Sequence, residues 1–544
     1  MSPRTLSLST RARPRIGPRF AALLAAATLL LATMALAAPV FAATIVVNED
    51  ADEVNTDGDC SLREAVIAAE NNVIVDACPA GNDVADTITI PTGTYQLASV
   101  DIELDDTVSL VGADRATTTV VGPPEGDRVF SLGFGDVSIA NLTITGGQED
   151  DENGGGITVD SDATLTLTNS TVTGNEVLNG GGGGGIYVSF GGSATITNSL
   201  ISDNTSENDG GGIFSNGGVS LINSAVNGNH ADFTGGGILS TGNLSLLNTT
   251  VDDNTSAFGA GIFLSDNEDL ATITIDRSTI SNNVATATKG GGEGGGIFAT
   301  LDFTVVNSTV SGNSATSRGG GIYLVADLRV DFSTITDNSS PEGAGIWVIG
   351  NLELFATVVA NNDVAGGDCF NGDANLTSLG SNIDSDDTCE LNQPTDQPDA
   401  DPMLGSLAAN GGPTLTHALL AGSPAIDAVT TTVDDACVAT DQRGTVRPQD
   451  GDNNGSLVCD IGAFEVLGAV AATPTLAPIP TPAPSTSGSA SPSPTAGTLP
   501  DTAGDDPGPS EAPWLGFAVL ALIAAAALTL EGLRRRYANP VVKP

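Results

Sequence analysis

The 544 residues carry 66 acidic against 18 basic side chains, a formal net charge of −48. A surface of that sign excludes nucleic acid and anionic membranes as partners and leaves solubility and cation binding as its uses. Only 4% of the residues are aromatic, two are histidine and 67 are glycine, which excludes an ordinary helical globule and favours many short strands joined by tight turns.

The N-terminus reads as a targeting segment. Arg4, Arg11, Arg13, Arg15 and Arg19 precede an apolar run from Ala21 to Ala38, and Val40-Phe41-Ala42 supplies small residues where a signal peptidase reads. The pattern predicts a secretory signal peptide over 1–42. Residues 43–510 then hold 64 of the acids and nine of the bases, so nearly all the negative charge lies in the exported part. A solvated acidic surface explains most of it.

Residues 43–136 are expected to form an N-terminal cap and the first coils. Thr44 to Val47 and Asp86 to Leu97 alternate as strands. Between them Ser61 and Glu64 form a capping box that opens a helix, whose apolar face, Leu62, Ala65, Val66 and Ala69, would plug the first rung. The text Cys60-Ser61-Leu62-Arg63-Glu64-Ala65 resembles the CSLREA-type domain at the start of many bacterial surface β-helix proteins.

One internal repeat dominates residues 137–368. Gly-Gly-Gly-Ile or Gly-Ala-Gly-Ile recurs with its Ile at 157, 186, 213, 238, 262, 297, 322 and 346. Interleaved with it runs aliphatic-x-aliphatic-x-Asn-Ser-Thr-Val-x-x-Asn. Its closing residues are Asn175, Asn204, Asn229, Asn254, Asn283, Asn313, Asn338 and Asn362, at steps of 24 to 30. A single unit of this kind cannot bury its aliphatic face, and stacking like on like does so. The fold class expected is therefore all-β, a right-handed parallel β-helix of about nine rungs making a rod of roughly 40 Å, and the repeats resemble those of the wider pectate-lyase-like β-helix superfamily. Ile157, Leu165, Leu167 and Val172 would point inward. The closing asparagines are expected to form a hydrogen-bonded ladder along the stack, and the glycines to adopt positive φ or allow close approach of neighbouring coils. The repeats resemble those of the polymorphic outer membrane proteins, which implies a surface location. The segments between each Asn and the next glycine triplet vary in length and carry acid, as in Glu149, Asp150, Asp151 and Glu152. Such inserts gather along one edge of a solenoid.

Residues 369–468 are expected to be a C-terminal cap. The stretches Asp401 to Gly405, Asn410 to Thr414, Gly422 to Asp427, Thr440 to Gly444 and Asp460 to Glu465 resemble the bacterial choice-of-anchor Q module, which precedes surface anchors. Arg443 and Asp441 are expected to pair inside it. Asp450, Asp452 and Asn454 follow the first half of a calcium loop, DxDxNG, although position twelve is Ile461 rather than Glu. They are candidate Ca²⁺ ligands, with a plain Asp/Asn/Gly turn as the alternative; no other cofactor is expected.

Residues 469–510 are rich in Pro, Thr, Ser and Ala and read as an extended spacer. Inside it Leu499-Pro500-Asp501-Thr502-Ala503 resembles a sortase sorting signal, with Leu499, Pro500 and Thr502 at the LPxT positions and Ala503 where Gly is usual. The resemblance implies transfer to the cell wall after Thr502. Residues 514–533, Trp514 to Leu533, are long and apolar enough to span a bilayer, and Arg534, Arg535 and Arg536 place a cytoplasmic tail over 534–544. Wall transfer and membrane retention both stay open.

Six cysteines fall into neighbouring pairs, Cys60 with Cys78, Cys369 with Cys389 and Cys437 with Cys459; export makes disulfides the expected state, and a zinc site lacks both a CxxC pair and a nearby histidine. The bases of the repeats, Arg277, Lys289, Arg318 and Arg329, fall in different rungs, His230 stands alone, and no clustered carboxylate pair of a hydrolase is visible. The expectation is a monomeric, non-catalytic surface protein, structural or adhesive, which could meet surface glycans. A polysaccharide lyase or glycoside hydrolase is the alternative.

Overall fold

In the computed structural model, residues 42–468 are described, apart from 83–84, 266–270, 364, 373–374 and 431–436. The expected signal peptide, but for Ala42, and the spacer, Leu499 to Ala503, the apolar segment 514–533 and the basic tail lie outside the described residues. No helix among the described residues is long and apolar enough to cross a membrane.

Alternating apolar residues make each coil a sequence of short strands. In one turn Ile157–Thr168 runs along the first sheet, Thr171–Thr173 along the second and Glu176–Val177 along the third. The next coil repeats the path one rung on, so each pairing is parallel. Among the described residues the sheets contain 22, 13 and 7 strands respectively. The result is a parallel β-solenoid with very little helix.

Register follows the repeat. Ile157 pairs with Ile186, then Ile213, Ile238, Ile262, Ile297, Ile322 and Ile346. On the second sheet Val172, Ile201, Val226, Val251, Ile280, Val310 and Ile335 line up in the same way. The steps differ by several residues, yet the register holds, because the extra residues go into the connections between strands, both before the glycine triplets and within the first sheet, as between Leu264 and Ile273. Ile157, Leu165, Leu167 and Val172 are fully buried; each such side chain is worth about 1.5–3 kcal/mol of transfer free energy.

The glycine triplet is a close-packing requirement. Gly210 sits at φ +61, and a Cβ on Gly212 would come 2.6 Å from the Gly237 carbonyl oxygen of the next coil. Only glycine lets the coils approach there. The corner between the first and second sheets is turned by the first Asn of the motif in left-handed conformation, at φ 48 for Asn169, 51 for Asn198 and 52 for Asn248. Asn tolerates that region better than other residues with a Cβ.

At the N-terminal end the helix Leu62–Asn71 carries the expected capping box, with Ser61 and Glu64 satisfying each other's backbone amides. Its buried residues Leu62, Ala65, Val66 and Ala69 join the main core with Ile45, Ile88 and Leu104. The Cys60–Cys78 disulfide ties its start to the loop that follows.

The C-terminal region departs from the expected cap over 369–468. Its first part continues the solenoid through Cys369–Asn371, Asn375–Ser378, Ile383–Asp384 and Gln397–Pro398, with Cys369 joined to Cys389. The remainder turns back. The antiparallel pair Leu404–Ala408 and Thr416–Leu419, and the irregular chain held by Cys437–Cys459, lie on the outer face of the second sheet. There they pack on Phe332, Ala356, Val358 and Ala360 as a separate apolar cluster. The physical reason is that the last coils offer Phe332, Ala356, Val358 and Ala360 together on this face, where the earlier coils are mostly Thr, Ser, Asn or Asp.

Candidate functional site

The eight closing asparagines stand in single file. Each side-chain amide donates to the Oδ1 of the next, from Asn175 to Asn204 and on through Asn229, Asn254, Asn283, Asn313, Asn338 and Asn362, at 2.9–3.0 Å. Each Oδ1 also accepts the backbone N–H of the Asn before it. The second amide proton reaches a carbonyl of the preceding coil, as from Asn254 to Val226 O at 3.0 Å. These amides are 5% exposed or less and their bonds are filled from within, so the file is structural and offers nothing to a ligand. A parallel file of hydroxyls, which sequence reading missed, runs beside it: Ser199 Oγ accepts from Ser170 N and Ser308 Oγ from Ser278 N. Its only sequence signal is the Ser or Thr that follows the first Asn of each motif.

The first acidic insert closes around a base that sequence reading passed over. Arg128 Nε donates to Glu149 Oε1 at 2.7 Å, Nη2 to Glu152 Oε2 at 2.6 Å and Nη1 to Thr158 Oγ1 at 3.2 Å. Around it opens a groove of about 470 Å³ with Glu125, Asp127, Asp150 and Asp151 on its walls. A second recess over Asp101, Glu103, Asp105 and Asp160 adjoins it across Asp127 and Arg128. Burial pushes the Glu149 carboxyl up from its ordinary value, and the Arg128 charge only partly offsets this. Burial works against the Arg128 charge too, but Glu149 and Glu152 outweigh it and hold its pKa above the usual value. One cation among so many carboxylates leaves the groove negative. It can hold a cation or a polyol by hydrogen bonding.

The bases of the repeats are each held by carboxylates. Arg277 lies 3.4 Å from Asp276, Lys289 3.3 Å from Asp232, Arg318 3.0 Å from Glu342, and Arg329 2.9 Å from Asp331. His230 lies between Thr255 Oγ1, 2.8 Å from Nδ1, and Asp232, 3.3 Å from Nε2. The order hydroxyl, imidazole, carboxylate is that of an activated nucleophile. The His230 and Asp232 side chains are 48% and 37% exposed, however, and Lys289 shares the carboxylate, so water competes for each contact.

At the calcium-like loop the structure brings together Asp427, Asp450 and Asp452, whose carboxylate oxygens lie within 4.8 Å of one another. Asp427, far away in sequence, takes the place expected for Asn454. The Asn454 side chain is engaged locally, its Oδ1 accepting from Ser456 N and its Nδ2 donating to Asp452. No donor reaches the buried Asp450 Oδ1. Three carboxylates without a nearby base fit a hard divalent cation. Arg443 and Asp441 pair as expected, at 2.6 Å.

An aromatic file also went unread. The residue after the repeat isoleucine is Phe263, Phe298, Tyr323 and Trp347 in successive coils, with Phe370 after Cys369, and these rings stack at 4.8, 4.6, 4.4 and 6.1 Å. The signal was present at one repeat position but is offset by the Thr158 and Leu239 that occupy it earlier.

Comparison with known proteins gives the following. A family described as right handed beta helix region matches residues 128–306, and the Chlamydia polymorphic membrane protein repeat matches residues 307–324. No curated protein matches. Among solved structures, the crystal structure of pectate lyase Pel9A is similar at 14% identity and a TM-score of 0.37, covering 78% of this chain and 97% of that one. Over residues 128–324 the chain is thus similar to right-handed β-helix and polymorphic membrane protein repeats.

Proposed function

We propose that the chain is a cell-surface rod, structural or adhesive rather than catalytic, exported by its first 42 residues and tethered through residues 469–533. The helix Leu62–Asn71 closes its first coil, in the manner of the CSLREA-type start it resembles, and the segment over 401–465 is the anchor-proximal module of the choice-of-anchor Q kind. The observation that carries this reading is where the polar chemistry goes. The asparagine amides are consumed by the ladder, and the repeat bases Arg277, Lys289, Arg318 and Arg329 are ion-paired. The variable, acid-bearing inserts remain to meet a partner, and surface glycans are the class that their hydrogen-bonding groups suit. Likeness to the polymorphic membrane protein repeat supports a surface location. The rod acts as a monomer, and Ca²⁺ at Asp427, Asp450 and Asp452 is part of the same reading.

A polysaccharide-active enzyme is the second reading, favoured by the Arg128 groove with its buried Glu149. The two separate in one experiment. The secreted ectodomain is incubated with a panel of neutral and acidic polysaccharides, and release of reducing or unsaturated sugar is followed. No turnover, together with retention on a glycan array, is the expected outcome; sustained release that Glu149→Gln abolishes would overturn the non-catalytic assignment. Wall transfer is read from the mature C-terminus, which ends at Thr502 if a sortase acts and extends through 514–533 if the membrane retains the chain.

A further inference from the structure

The first Asn of each repeat turns a corner at positive φ, and along the N-terminal coils it is Asn: Asn141, Asn169, Asn198, Asn223 and Asn248. Later, with Asn307 keeping the Asn between them, the same corner carries Arg277, Phe332 and Ala356, still at φ 50, 48 and 48. A Phe in that conformation is disfavoured, and the solenoid alone gives no reason for it.

The segment docked on the second sheet supplies the reason. Arg277 O accepts from Thr414 Oγ1 at 3.0 Å and Ala356 O from Gly462 N at 2.8 Å. The Phe332 ring lies 4.8 Å from the guanidinium of Arg447. Between these points Gln442, fully buried, reaches across. Its Oε1 accepts from Thr309 Oγ1 at 2.6 Å, and its Nε2 lies 2.9 Å from Thr279 Oγ1 and 3.2 Å from Ser278 O. Ser311 Oγ meets His417 Nε2 at 2.8 Å, and Thr334 Oγ1 accepts from Ala463 N at 3.1 Å. Three successive coils are thus read through outward hydroxyls, and a fourth through the Ala356 carbonyl. The apolar contact is a cluster of its own, apart from the solenoid core. The docked segment has its own closure in Cys437–Cys459 and in Arg447, which donates to Asp460 O and Gly462 O and faces Glu465 at 3.5 Å.

We propose that residues 401–430 and 437–466 are a lateral latch, that the corner positions Arg277, Phe332 and Ala356 are its receptor, and that it docks and releases as one unit while the coils beneath stay folded. The inference does not depend on how the chain is tethered. The latch meets these coils through an apolar cluster separate from the solenoid core and through side-chain and backbone hydrogen bonds, and a unit with its own internal bonds opens separately from the core it leans on.

The receptor positions provide a test in which the solenoid's own repeat residue is restored. Phe332→Asn and Ala356→Asn suit a corner at positive φ, so the coil keeps its preferred residue while the latch loses a ring or meets an added side chain. Hydrogen exchange of the full chain, read by mass spectrometry, is compared for wild type, the two variants and Gln442→Ala. In all three variants peptides covering 437–466 are expected to exchange at least tenfold faster, while peptides from 157–262 and from 297–360 keep their wild-type rates. If 297–360 loosens together with 437–466, latch and coils are one cooperative unit and the proposal fails. If 437–466 is unchanged in the two corner variants, those positions are not its receptor and the proposal equally fails.

Discussion

Asn362 Nδ2 donates to Asp368 Oδ1 at 2.8 Å, and the Asn362 backbone N–H reaches the same oxygen at 3.1 Å. The amide ladder therefore runs in one sense through eight asparagines and terminates on a carboxylate, which has no proton of its own to pass on. Asp368 Oδ2 is filled by Ser385 N and Oγ at 3.0 and 2.6 Å. Asp368→Asn would set an amide N–H against the Ser385 N–H and leave a buried donor unmatched, at a cost of about 1–3 kcal/mol. Faster exchange of the Ser385 amide, with coils 157–262 unchanged, is the expected readout; an unchanged rate would show that an amide terminates the file equally well.

Position along the file matters. Asn254→Ala removes the acceptor for both the side-chain amide and the backbone N–H of Asn229. Asn175→Ala orphans only Gly147 N on that side. Asn254→Ala is expected to destabilise by more, by about the 1–3 kcal/mol of a buried unpaired donor. Urea unfolding followed by circular dichroism measures both, and equal losses would contradict the ladder as the unit of cohesion.

Stability should depend on pH in a stated direction. Burial raises the carboxyls of Glu70, Asp384 and Asp460 to about 7. In the unfolded chain they lose their protons near 4, at roughly the ordinary value. The folded state therefore holds protons that the unfolded state has released, and stability falls as pH rises from about 4 towards 7 and the folded groups ionise. His417 acts oppositely. Its pKa is lowered, chiefly by burial, with Nδ1 donating to Gly405 O and Nε2 accepting from Ser311 Oγ, so it costs stability only below about 6.5. Between pH 8 and 6.5 only the carboxyl effect operates. The melting temperature should rise across that interval, and less so in Asp384→Asn. A fall on acidification would refute the assignment.

The carboxylate trio at the calcium-like loop makes a sharper claim than the sequence did. Titration calorimetry with Ca²⁺ is expected to show one site that Asp427→Ala and Asp452→Ala abolish and Asn454→Ala leaves in place. Binding that survives Asp427→Ala would restore the set Asp450, Asp452 and Asn454; heat absent from the wild type removes the site.

Disulfide loss should act locally. The pair Cys369–Cys389 closes a loop of sequence separation 20, for which chain entropy predicts about 3 kcal/mol. Replacing both residues with Ser should expose 369–400 to thermolysin while coils 157–262 resist. Cleavage throughout would mean that the last coil nucleates the rest.

The solenoid was legible because its cause is periodic. The repeat isoleucines, the glycine triplets and the closing asparagines recur at steps that only stacking explains, and the cysteines pair with their neighbours. What went unread has causes that are not periodic. Arg128 lies ahead of the clear repeats, so nothing in the text tied it to Glu149 and Glu152. Asp427 joins Asp450 only through the fold of the latch. Phe332 and Ala356 differ in sequence from the Asn of the other repeats with nothing nearby to explain it, because the partner they face lies about a hundred residues further on. An end cap and a lateral latch bury the same apolar residues, and composition does not distinguish them.

The place where the latch ends has a mechanical consequence. Ala463 is bonded to Thr334, in a coil that three later strands of the second sheet follow. A load applied through the residues after Gly468 would thus enter the solenoid three strands short of its tip. It would fall first on the contacts of Thr334, Ala356 and the hydroxyls around Gln442, as a rope hitched around a mast loads the hitch before the joints above it.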